Sequence, residues 1–128
     1  MTKTVLISKG SSGWGGPLKI KKTEEKTVIL SMTSAGIDPV TKKLAEVLDC
    51  EIVDGFKTAL EDDKILIAVI DCGGTARCGV YPKKKIFTVN VKPTGKTGPL
   101  AQFITEDLYV SGVTIDDITT LSENDETQ

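Results

Sequence analysis

The chain has 128 residues, 39% hydrophobic and 27% charged, which suits one globular domain whose single core needs no disulfide or metal staples. A net charge of -2 leaves no global basic field, so neither nucleic acid nor an anionic membrane is expected as the main partner. Histidine is absent, which removes the usual general base, the usual phosphoryl-carrying imidazole and the commonest metal ligand together.

Met1-Thr2-Lys3-Thr4 lacks the apolar segment of a signal peptide, and no apolar run approaches the ~20 residues of a membrane-spanning helix, so a soluble, cytoplasmic chain is expected. Thr4 to Ser8 and Thr27 to Met32 are rich in β-branched and aliphatic residues and read as strands. Between them, Ser11-Ser12-Gly13-Trp14-Gly15-Gly16-Pro17 is incompatible with a helix, and Leu18-Lys19-Ile20 alternates as a strand does. Asp38-Pro39 sets a capping carboxylate before a proline, and Val40, Leu44, Val47 and Leu48 recur at helical spacing, predicting a helix over 39–48. Ile65 to Ile70 is continuously apolar, the pattern of a strand buried on both faces, and it is the candidate central strand. Ile86 to Val91 alternates as a further strand. Pro99 is read as opening a helix with Leu100, Phe103, Ile104 and Leu108 on one face.

This order predicts a single α/β domain with a mostly parallel central sheet flanked by helices and the first strands at its edge. The domain is expected to span residues 1–121, with 122–128 an acidic flexible tail. Cys50, Cys72 and Cys78 are an odd set without a CxxC motif and read as intracellular thiols; neither a metal site nor a cofactor is expected.

In open α/β sheets ligands collect beyond the carboxyl ends of strands, and the stretch leaving Ile70, read as a loop from Asp71 to Lys85, begins Asp71-Cys72-Gly73-Gly74-Thr75-Ala76-Arg77-Cys78-Gly79. Glycines here let successive amides converge on an oxyanion, Thr75 adds a hydroxyl, and Arg77 a charged fork. Residues 73–78 are the candidate phosphate-binding set, with Lys83 to Lys85 read as a supporting cationic patch. Amides and cations that stabilise an anion raise the thiolate fraction of a cysteine, and Cys72, first out of the strand, is best placed as nucleophile. The same features also describe an ordinary glycine-rich turn, a solvated lysine run and buried thiol filler. Gly95-Lys96-Thr97 resembles the end of a nucleotide-binding loop, but that motif requires glycine at position 90, which is Asn90. Trp14 suits either a docking role or packing over its own loop.

Several groups of residues together resemble one family. They are Lys9-Gly10 with Gly13-Trp14-Gly15-Gly16-Pro17-Leu18, Asp54-Gly55-Phe56-Lys57, Ala68 to Thr75 with Arg77-Cys78-Gly79, Tyr81-Pro82-Lys83, Thr94-Gly95-Lys96 with Gly98 to Gln102, and Tyr109 to Val113. In these the chain is similar, over nearly its full length, to the enzyme IIB domain of the bacterial glucitol/sorbitol phosphotransferase system. The resemblance implies a phosphorylated cysteine, charged by the phosphohistidine of a IIA protein and discharged onto sorbitol held by a membrane IIC component, giving sorbitol 6-phosphate. It implies a cytoplasmic domain held at the inner face of the membrane through IIC, without direct membrane insertion. Both Cys72 and Cys78 match family positions, so the resemblance leaves Cys78 as the alternative to Cys72. The family domain is commonly joined to a membrane portion, so a separate subunit or an excised domain is expected. A cysteine phosphatase, with Arg77 five residues after Cys72 rather than the usual six, and a redox sensor pairing Cys72 with Cys78 are the rival readings.

Overall fold

The alternation of buried and exposed residues sorts the strands into two sheets. In the computed structural model, which describes residues 4–11, 13–21, 23–33, 38–55, 62–71, 77–92 and 100–121, the strands are β1 (Thr4–Ile7), β2 (Leu18–Lys21), β3 (Val28–Met32), β4 (Glu51–Asp54), β5 (Ile65–Ile70), β6 (Phe87–Asn90), β7 (Tyr109–Ser111) and β8 (Ile118–Leu121). The helices are α1 (Pro39–Leu48) and α2 (Arg77–Lys83). Five strands form a parallel sheet in the order β4-β3-β5-β6-β7, and three form an antiparallel sheet in the order β2-β1-β8.

All six residues of β5 are buried, as a strand covered on both faces must be. One core cluster unites Ile29, Leu66, Val69 and Val89 of the parallel sheet with Val40, Leu44 and Leu48 of α1 and Val5, Ile7, Leu18 and Ile118 of the antiparallel sheet. The other unites Leu30, Ala68 and Ile70 with Tyr81, Ile86, Ile104 and Tyr109. The parallel sheet is therefore the middle of three layers. Each fully buried leucine or isoleucine contributes about 1.5–3 kcal/mol of transfer free energy, so the two faces together supply most of the drive to fold.

Local chemistry sets the ends of α1. Asp38 is the N-cap, its Oδ2 accepting from the Val40 amide at 2.8 Å, Pro39 opens the helix, and Asp49 ends it in the left-handed conformation at φ 55°. The helix has the bounds its spacing predicts.

Elsewhere the structure corrects the reading. β1 and β2 do not extend the edge of the main sheet; with β8 they make their own, because the alternation of Leu18 and Ile20 with exposed Lys19 and Lys21 suits an antiparallel sheet with one wet face. The helix expected from Pro99 is only a 3-10 turn, Ala101–Phe103, with Pro99 itself outside the described residues. Leu108 ends a turn rather than a helix, and its carbonyl accepts from the Thr88 amide at 2.8 Å as β7 begins. Conversely, α2 lies inside the stretch read as loop. The helix stops one residue after its Pro82, whose missing N–H and ring oppose continuation, and Gly79 is buried against Leu100. The expected tail, 122–128, lies outside the described residues.

Candidate functional site

From β3 the chain moves outward through α1 to β4, then returns across β3 to β5 and continues the other way through β6 and β7. The direction of winding thus reverses between β3 and β5. At such a switch point the connections diverge and leave a crevice at the carboxyl ends of the strands. β5 ends at Ile70, the half-buried Asp71 follows, and α2 begins at Arg77. Of the predicted site residues, Cys72, Gly73, Gly74, Thr75 and Ala76 lie outside the described residues, and Arg77 and Cys78 are described as backbone only, in the first turn of α2. What is fixed is both ends of the segment: the carboxyl end of the most buried strand and the start of the helix that follows it.

The carboxyl edge of the sheet carries buried polar side chains. Ser31 and Thr33, at the end of β3, have their hydroxyl oxygens 3.2 Å apart. Asn90 ends β6 with 0% exposure; its Nδ2 donates to the Tyr109 hydroxyl at 2.9 Å, and its Oδ1 accepts from the Lys92 amide at 2.9 Å. Ser111 ends β7, its Oγ accepting from the Trp14 amide at 2.8 Å. Burial raises the pKa of Tyr109, and hydrogen bonds with Asn90 and Ser111 oppose the rise. Sequence reasoning missed Ser31, Thr33 and Asn90. The available signal was a polar residue closing an apolar run at a strand's carboxyl end.

The lysine patch is not at this edge. Lys83 ends α2 at the helix end remote from Asp71, about 10 Å along the axis from its start at the usual rise. Its Nζ lies 5.6 Å from the Phe103 ring centroid, and that of Lys84 lies 6.0 Å from the Tyr81 ring centroid. Lys85, at φ 65°, leads toward the amino end of β6 and faces Asp107, whose carboxyl is held low chiefly by the Thr105 hydroxyl and also by Lys85. The exposed lysines form a surface at the amino end of β6, remote from Asp71.

The glycine motif has a structural use. The Gly10 amide donates to the Ser111 carbonyl at 3.3 Å, the Ser111 amide to the Trp14 carbonyl at 2.9 Å, and the Gly16 amide to the Tyr109 carbonyl at 3.1 Å, while Gly15 bridges Val110 antiparallel. This segment closes the β7 edge. A Cβ at Gly13 would stand 1.8 Å from the Ser111 carbonyl oxygen, so only glycine allows the approach. The Trp14 indole is half-buried and tilted at 50° to the Tyr109 ring, centroids 6.2 Å apart; it packs over its own fold.

Among the described residues no group of three or more His, Cys, Asp or Glu could hold a metal ion, and no helix is long and apolar enough to cross a membrane. Residues 4–128 match the family described as the sorbitol phosphotransferase enzyme II N-terminus. The glucitol/sorbitol-specific EIIB component of the phosphotransferase system from Clostridium beijerinckii is 50% identical over 115 residues, covering 89% of this chain and 34% of that protein. The chain thus spans about a third of the length of that relative. No solved structure matches.

Proposed function

The chain belongs to the sorbitol phosphotransferase enzyme II N-terminal family, the IIB domains of the glucitol/sorbitol phosphotransferase system, and on that footing we propose that it carries a phosphoryl group on Cys72. The observation that carries this reading is the family match over 4–128, which includes the Asp71 to Gly79 segment at the carboxyl end of the central strand.

In the proposed reaction the Cys72 thiolate attacks the phosphorus of the phosphohistidine of a glucitol IIA protein. The S–P bond forms in line as the P–N bond breaks, and the electron pair leaves on the imidazole nitrogen. In this reading the amides of Gly73, Gly74, Thr75 and Ala76, with Arg77 and the Cys78 amide, hold the equatorial oxygens. In the second transfer a primary hydroxyl of sorbitol attacks phosphorus. The O–P bond forms, the thiolate leaves, and the hydroxyl proton passes to a base of the membrane IIC component, giving sorbitol 6-phosphate. This chain has no histidine of its own, so the imidazole donor must come from the partner. Working with IIC brings the domain to the inner face of the membrane. Cys78 is the alternative acceptor.

The test is incubation with phosphoenolpyruvate, the general phosphotransferase proteins and a glucitol IIA, followed by membranes containing IIC with sorbitol. The expected result is a phosphorylated chain that keeps its phosphate until sorbitol and IIC are both added. Loss of phosphate to water without them points to a phosphatase. A disulfide in place of phosphate points to the redox reading.

A further inference from the structure

Asn90 stands where a nucleotide-binding loop would need glycine, and its position in the fold gives it a different use. It lies directly opposite Ile70 in the β5–β6 register, so it neighbours the last strand residue before Asp71. The next amide, that of Val91, donates to the Ile70 carbonyl at 2.9 Å. The Asn90 Oδ1 accepts from the Lys92 amide and so folds residues 90–92 into a tight turn that aims the Val91 amide back at β5. The Lys92 carbonyl accepts from the Gly112 amide at 2.8 Å, and the Asn90 carbonyl from the Val113 amide at 3.3 Å, which binds the exit of β7 to the same turn. The Asn90 Nδ2 donates to the fully buried Tyr109 of β7. The Asn90 side chain thus ties the carboxyl end of β6 to Tyr109, the first residue of β7, while the backbone of the turn it holds reaches the carboxyl end of β5 and the residues that follow β7.

An amide with 0% exposure is an unfavourable choice for a strand end if packing alone is required, because burying it costs free energy unless its donors and acceptor are met. Asparagine is also depleted in strands. A valine or leucine would fill the site but could not hold the turn.

We propose that Asn90 is a positioning residue for phosphoryl transfer, locking the point from which the cysteine-bearing segment leaves β5. The inference rests on the carrier reading above. It requires that disturbing the Asn90 turn shift the segment after Ile70 relative to an incoming phosphoryl group, where small misplacements are costly to rate.

The variants are Asn90→Ala, which removes the side-chain bonds to Lys92 and Tyr109, Tyr109→Phe, which leaves the turn acceptor in place and removes the hydroxyl that Asn90 Nδ2 and Ser111 share, and Asn90→Asp, which keeps the turn acceptor and can accept from the Tyr109 hydroxyl. Each is checked for folding by circular dichroism, then assayed for single-turnover phosphoryl acceptance across IIA concentrations. Iodoacetamide alkylation of each cysteine is followed in parallel across pH by peptide mapping, with Cys50, at the end of α1, as internal control. Asn90→Ala is expected to lower the rate at saturating IIA by about tenfold or more with the half-saturating concentration unchanged, and Asn90→Asp to recover most of it. An unchanged saturating rate, or a loss confined to half-saturation, overturns the proposal. If Asn90→Ala does not fold, Tyr109→Phe decides by the same criterion, with a smaller loss of about threefold expected. If the wild type accepts no phosphate the carrier reading fails, and alkylation then decides. A shifted pH profile at Cys72 with Cys50 unchanged keeps Asn90 as the positioning group, and coincident profiles remove it.

Discussion

Replacing Gly15 with alanine tests whether the glycine motif is a structural tie between the two sheets. Gly15 has φ +87°, and a Cβ there would lie 2.2 Å from the Tyr109 carbonyl oxygen, backbone that cannot step aside without breaking the β7 edge. Holding an alanine at positive φ and displacing that edge together cost about 2–4 kcal/mol. Gly55 is the matched control. A Cβ there meets the Met32 Sδ at 2.1 Å, but that atom is the far end of a flexible side chain and φ is not in the left-handed region. The expected cost of Gly55→Ala is about 1 kcal/mol or less, since methionine repacks readily. Urea titration followed by circular dichroism reads both variants. With a slope of about 1–2 kcal/mol/M, Gly15→Ala should lower the midpoint by about 1–4 M. Emission from Trp14, the one tryptophan, should shift to longer wavelength in folded Gly15→Ala as the indole loses its seat beside Tyr109. A Gly15→Ala midpoint within error of Gly55→Ala would refute the reasoning.

At Gly79 a Cβ would lie 2.4 Å from the Leu100 Cβ and 2.6 Å from the Leu100 oxygen, so Gly79→Ala should lose about 1–3 kcal/mol in urea unfolding despite the better helix propensity of alanine. The burial-raised pKa of Tyr109 sets a sign for alkaline stability: the unfolded chain releases its proton first, so this contribution is complete below about pH 10 and is lost as pH rises through the folded value. Tyr109→Phe should therefore show a flatter fall in stability above about pH 10 than the wild type in parallel urea titrations, and equal slopes would contradict it. Because Lys83 to Lys85 sit at the far end of α2, changing all three to alanine should alter the alkylation rate of Cys72 by less than about twofold at physiological salt, where the screening length is about 8 Å. A tenfold fall would return those lysines to the site.

The elements legible in the sequence are those whose pattern has one physical solution. Ile65 to Ile70 can be buried on both faces only inside a covered parallel sheet, and Asp38-Pro39 with Val40, Leu44 and Leu48 has few alternatives to a capped amphipathic helix. The elements misread or left unassigned are short and decided by partners. Tyr109–Ser111 is a strand because β6 on one side and the glycine segment on the other take up its backbone groups, which three residues of sequence do not disclose. The apolar spacing of Leu100, Phe103 and Ile104 suits a helix or a 3-10 turn equally, and pairing of the next segment with β6 chooses the turn. Arg77–Lys83 contains Gly79 and Pro82, which argue against a helix locally; packing on Leu100 overrides them. At the site, the strand-end rule led to Asp71, whereas Asn90 reads in sequence only as a broken motif because the fold is what brings Tyr109 to it. The lysine run illustrates the reverse error, since seven helical residues separate in space what is close in sequence.

The central claim is best tested by intact-protein mass spectrometry after charging with phosphoenolpyruvate, the general phosphotransferase proteins and a glucitol IIA, on the wild type, Cys72→Ser and Cys78→Ser. The account predicts one acid-stable, iodine-labile phosphate on the wild type and on Cys78→Ser, and none on Cys72→Ser. A phosphate lost only in Cys78→Ser would move the acceptor into the first turn of α2, and no phosphate on any of the three would contradict the carrier account itself.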